Sequence, residues 1–177
     1  MIDPIVSWVA RLLLASIFAT AATAKLAAMG PFEGIVRNYR ILPEPLISPF
    51  ARGLPFVELA AALGLLFEPT REVAAGVCGA LLLAFAIAMA INIRRGRTDI
   101  DCGCFVGRSR QRIGWPLVVR NLLLLFVAGV ALAEPAARPL SILDFAALIG
   151  ATLTLVLVYL ALSQLLELAP VRRERTP

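Results

Sequence analysis

Five long apolar runs, 5–28, 51–67, 72–93, 115–133 and 141–167, constrain this chain more than any other feature. Of its 177 residues 60% are hydrophobic and only 16% charged, a balance that a water-soluble domain of this length does not carry. A run of about 20 apolar residues crosses a bilayer as a helix, because a helix satisfies its own backbone hydrogen bonds in hydrocarbon. The expected fold is therefore all-α: a polytopic transmembrane bundle of about five spans. It fills one integral membrane domain, 1–169, followed by a basic tail, 170–177. The expected partner of the surface is the lipid bilayer.

The punctuation between the runs fits this reading. The first run ends in Ala-Thr-Ala-Ala-Thr-Ala over 19–24, like a signal-peptide cleavage region, but Asp3 stands at the start and no basic residue precedes Arg11. A retained first helix is expected, with Arg11 snorkelling near one end. Between 29 and 50 the prolines Pro31, Pro43, Pro45 and Pro49 are expected to break any long helix. Phe32, Ile35, Val36 and Tyr39 have helical spacing there, which predicts a short amphipathic helix on the membrane surface. Glu68 to Glu72 forms a tight turn, and Pro116 suits the first turn of the fourth span.

Charge distinguishes the two ends of the bundle. Of the 17 Lys and Arg residues, all but Arg11, Arg71 and Arg138 fall on the side that bears the loop 94–114. The positive-inside rule places that side in the cytoplasm. Because these arginines adjoin apolar spans, they point to lipid headgroups and to no nucleic acid. The chain has no histidine, so it lacks the commonest metal ligand and general base, and no metal site is expected.

Chemistry concentrates in that loop, at Asp101-Cys102-Gly103-Cys104-Phe105. Cys102 and Cys104 are close enough in sequence for thiol–disulfide exchange, which needs a thiolate, an accessible sulfur and a partner sulfur. Gly103 permits the tight backbone that a one-residue spacer demands. The alternatives are reduced structural thiols or a metal-binding pair. Cys78 lies near the far end of the third span, roughly 20 Å along the helix from the loop, and is read as a packed, inert thiol. Lys25, Glu58, Asn92, Arg120 and Asn121 share one depth, in the half of four spans nearest the loop. Intramembrane charges are costly and usually face one another, so a cluster beneath the cysteines is expected, with Glu58 paired to Lys25 or Arg120. It could hold the loop, favour the thiolate, or line a pocket for a quinone-like headgroup. Two rival readings are a non-catalytic assembly factor that binds through the loop, and a small transporter using the buried charges.

The order of these features resembles the methylamine utilisation MauE family, within the broader DoxX-like membrane proteins. The matching stretches are Ala24-Lys25-Leu26, Asn38-Tyr39 with Leu42-Pro43, Leu54-Pro55 with Glu58, Ile91-Asn92, Ile100 to Phe105, and Arg120-Asn121-Leu122. Val106 departs from the pattern, where glycine would follow the phenylalanine directly. The resemblance implies a bundle with a four-helix core plus a C-terminal helix, and an accessory protein of the bacterial inner membrane for maturation of methylamine dehydrogenase or a related redox protein. The implied partners are the disulfide-rich small subunit of that enzyme and a thioredoxin-like protein. If the loop is catalytic, the activity is that of a thiol–disulfide oxidoreductase. Such substrates fold in the periplasm, the side opposite to the one the charge count gives the loop.

Overall fold

A computed structural model describes residues 2–103, 112–139 and 141–168, the last three as backbone alone. The expected tail, 170–177, lies outside them. The elements in order are α1 (Pro4–Ala27), α2 (Met29–Tyr39), α3 (Glu44–Gly64), a 3-10 turn (Glu68–Thr70), α4 (Arg71–Arg94), α5 (Trp115–Leu132) and α6 (Ile142–Leu168). The protein is an all-α bundle, and five of its helices are long and apolar enough to cross a membrane. It is a multi-pass membrane protein.

The first helix is the hub: α1 packs against α3, α5 and α6, while α4 packs against α5 and α3. Alanines make this possible. Ala10, Ala22, Ala62, Ala75, Ala128 and Ala131 are buried where helices meet, and small residues let backbones approach closely in a solvent as apolar as the core itself. Helix α6 lies against α1 with most of its side chains facing outward, Ser163 being buried. It is the C-terminal addition to the four-helix core.

Two expectations are corrected. Pro43, Pro45 and Pro49 do not break the chain into short pieces, because α3 starts at Glu44 and runs through Pro49 into the second apolar run, which contains Pro55. Pro45 sits in the first turn, where a missing N–H costs nothing, and the interior prolines remain because neighbouring helices hold the segment. Likewise Arg11 does not snorkel. It is 1% exposed, stacked 3.9 Å over the Trp8 ring. Its Nε donates to the Leu65 carbonyl at 2.6 Å and its Nη1 to Glu68 at 2.7 Å. The end of α3 supplies acceptors that a lone helix could not offer.

Arg71 does similar work on α5. Its Nη1 donates to the carbonyls of Ala131, Leu132 and Ala133 at 3.1, 3.3 and 3.2 Å, groups that a helix end leaves without partners. Arg71→Met is expected to lower stability by about 2–3 kcal/mol, the scale of hydrogen bonds to a charged group. Thermal unfolding of the purified protein in detergent measures it. On the same face Arg138 donates to Asp3 and Asp144, and Ile2 pairs with the backbone of Glu134 and Ala136. The Arg138 hydrogen bonds hold the Asp3 carboxyl below the usual carboxylate range. The N-terminus and the 133–141 connection thus share one face, opposite α2 and the cysteine loop.

Candidate functional site

The cysteine loop is pinned at its neck. Asp101 and Arg112 form an antiparallel bridge, the Ile113 amide donates to the Ile100 carbonyl at 2.9 Å, and Arg112 pairs with Asp99 at 3.2 Å. Ile100 and Ile113 are buried against Met89 and Leu117, so the neck is anchored to α4 and α5. Cys104 and Phe105 lie outside the described residues.

Gly103 sits in the left-handed region at φ +80, and a Cβ there would meet Ile35 Cγ2 at 3.2 Å and Phe32 Cε2 at 3.5 Å. Glycine is required twice over, by backbone conformation and by its approach to α2. Gly103→Ala is expected to cost the loop about 1–2 kcal/mol. Limited proteolysis reads this as faster cleavage between Arg97 and Arg112.

Cys102 faces the bundle. Its Sγ lies 3.9 Å from Met89 Sδ and 3.8 Å from Arg120 Nη2, and its carbonyl accepts from the Tyr39 hydroxyl at 3.4 Å. A sulfur half-buried on a methionine with a guanidinium beside it is a different environment from a thiol in an open aqueous loop.

Beneath it the polar residues divide into two groups. Lys25 Nζ donates to both Glu58 carboxylate oxygens, at 2.7 and 2.8 Å. The side chains are 3% and 1% exposed, a fully buried ion pair linking α1 to α3. Glu58 pairs with Lys25, one of its two expected partners. Lys25, Glu58, Arg120 and Asn121 border one cavity of about 30 Å³, room for a single water-sized group. Asn92 is not on that cavity. Its amide donates to the Tyr39 and Ala88 carbonyls, both at 3.1 Å, and accepts from Arg97 at 3.2 Å. Asn92 ties the end of α2 to α4, whereas Asn121 donates to Leu117 within α5.

Three contributors escaped the sequence reading. Met89 is one more apolar residue in an apolar span. Tyr39 belonged to the amphipathic stripe, which says nothing about its hydroxyl. Most informative is α6, whose Tyr159 ring lies 5.6 Å from the Arg120 guanidinium carbon and whose Ser163 hydroxyl lies 3.5 Å from Arg120 Nη1. The signal was available as polar residues on one face of the last span. Among the described residues no three His, Cys, Asp or Glu side chains are grouped to hold a metal ion.

Comparison with known proteins agrees with this architecture. The family described as "Methylamine utilisation protein MauE" matches residues 3–134, which takes in α1 to α5. A "Methylamine utilization protein MauE" of Paracoccus denitrificans is 45% identical over 166 residues, covering 93% of this chain and 89% of that protein. Its counterpart in Paracoccus versutus is 44% identical, over 92% of this chain and 88% of that protein. One in Methylorubrum extorquens is 43% identical, over 89% and 86% respectively. No solved structure matches. With a family match across α1 to α5 and relatives alike over nearly their whole length, the chain belongs to the methylamine utilisation protein MauE family.

Proposed function

We propose that this protein is a membrane accessory factor of methylamine utilisation whose Cys102 and Cys104 exchange between dithiol and disulfide. The client would be the small subunit of methylamine dehydrogenase or a related redox protein, reached directly or through a thioredoxin-like carrier at the inner membrane. The observation that carries the reading is the Arg120 guanidinium 3.8 Å from the Cys102 sulfur. A structural cysteine needs no cation, whereas a guanidinium beside a sulfur stabilises it as the thiolate that exchange uses.

In the forward exchange a client thiolate attacks the Cys102–Cys104 disulfide. One loop sulfur leaves as a thiolate and a mixed disulfide forms. The second client thiolate then attacks that bond and releases the other loop sulfur. The client gains a disulfide, and the pair gains two electrons. Arg120 would stabilise Cys102 as the departing anion, while Gly103 and the Asp101–Arg112 neck hold the loop against α2. Lys25 and Glu58 support this from below by fixing α1 to α3, and Asn92 fixes α2 to α4.

Arg120→Met is expected to slow alkylation of Cys102 by iodoacetamide roughly 3–10-fold at neutral pH in a Cys78→Ser, Cys104→Ser background, and to move its pH profile upward. Arg120→Lys should recover part of the rate. An Arg120→Met protein with an unchanged profile would contradict the assigned role.

A further inference from the structure

Oxidising a dithiol requires somewhere for two electrons and two protons to go, and the cavity beside Lys25 and Glu58 is too small to hold an acceptor. A second space is not. Between α2, α3 and α4 lies an apolar pocket of about 230 Å³ with Cys102 in its wall. For scale, an apolar cavity of about 150 Å³ takes up a benzene ring. Four aromatic side chains line it, Phe32, Tyr39, Phe50 and Phe85, together with Met89 and Cys102, whose sulfurs lie 3.9 Å apart. Phe50 and Ile41, also in the lining, are 42% exposed on the outer surface of the bundle. The pocket wall therefore reaches the outside of the bundle, beside α2 and α3.

We propose that this pocket binds the ring of a lipid-soluble quinone, and that the quinone oxidises the Cys102–Cys104 pair. The inference rests on the exchange reading above and names its electron acceptor. The two thiols lose two electrons and two protons and form the S–S bond; the quinone takes up both and becomes the quinol. A planar ring suits aromatic walls, an isoprenoid tail suits the exposed apolar rim at Ile41 and Phe50, and the acceptor meets the sulfur in the pocket wall. A lipid acyl chain would satisfy the apolar lining as well, but it would gain nothing from that sulfur.

The test uses the full chain in nanodiscs with decylubiquinone, and with decanol as a competitor of the same chain length. Saturable binding of the quinone that decanol does not displace is expected, together with loss of one quinone per dithiol oxidised. Ala88 lines the pocket, and Ala88→Trp would fill it. That variant is expected to weaken quinone binding at least tenfold. Phe50→Ala, on the lipid-facing rim where folding is least at stake, should weaken it several-fold. No saturable binding, equal displacement by decanol, or unchanged binding in both variants would overturn the proposal. The exchange reading is scored apart from it, by reaction of the reduced protein with oxidised glutathione. Exchange without quinone binding removes the pocket assignment alone. Pocket-dependent binding that survives in the Cys102→Ser, Cys104→Ser double variant, with no exchange in the native protein, upholds the pocket and removes the thiol chemistry.

Discussion

Lys25→Met is expected to destabilise the protein by about 3–5 kcal/mol, because it leaves the Glu58 carboxylate buried without its partner. Both side chains are almost fully enclosed, and two hydrogen bonds at 2.7 and 2.8 Å tie α1 to α3 through them. Glu58→Met should cost a similar amount for the converse reason. The double variant Lys25→Met, Glu58→Met is expected to recover most of the loss, since a buried pair replaced by apolar side chains of similar size is often neutral. Thermal unfolding in detergent, run as a double-mutant cycle, measures the coupling. The same proteins separate support from direct chemistry. A supporting pair predicts that the double variant still exchanges with glutathione, whereas a charge pathway predicts that it does not.

Cys102→Ser and Cys104→Ser are each expected to abolish methylamine-dependent growth in a host lacking its own copy, and to reduce glutathione exchange at least 100-fold, because neither sulfur can form the intramolecular disulfide alone. Cys78→Ser should leave both activities near the native level. Cys78 is fully buried among Leu14, Ala75 and Leu82, in a cluster separate from the one that Cys102 touches. Its serine variant places a hydroxyl in that core at about 1–3 kcal/mol, less where the hydroxyl back-bonds to the carbonyl four residues earlier. A modest fall in unfolding temperature with exchange intact is the expected pattern. Equal loss from all three serine variants would favour packing or a shared metal over a redox pair.

The five spans were legible because length and apolarity alone identify helices in a bilayer. Of the five polar residues expected together, Lys25, Glu58, Arg120 and Asn121 border one cavity, as a charge in hydrocarbon must find company, while Asn92 lies apart on Tyr39 and Ala88. What the sequence concealed is which apolar face meets which. In lipid the outside of a bundle is as apolar as its inside, so nothing in the pattern distinguishes Met89 on the Cys102 wall from Leu83 facing outward. Arg11 was misplaced for the same reason: snorkelling is the default for an isolated helix, and only the end of α3 at Leu65 and Glu68 gives it a reason to stay inside. The continuation of α3 through Pro49 back to Glu44 escaped notice because proline rules drawn from soluble helices overstate the cost where neighbours hold the segment. The resemblance to MauE proteins rested on α1 to α5 and gave no weight to α6, although Tyr159 and Ser163 stand beside Arg120.

A redox titration of the loop tests the central claim most directly. The Cys78→Ser protein in nanodiscs would be equilibrated across a series of glutathione poises, quenched with acid, alkylated with maleimide and weighed intact. The account predicts two labels per chain at the reducing end, none at the oxidising end, and one two-electron transition between them that Arg120→Met displaces. Two labels at every poise, or sulfurs lost independently of each other, would show that Cys102 and Cys104 are not a redox pair.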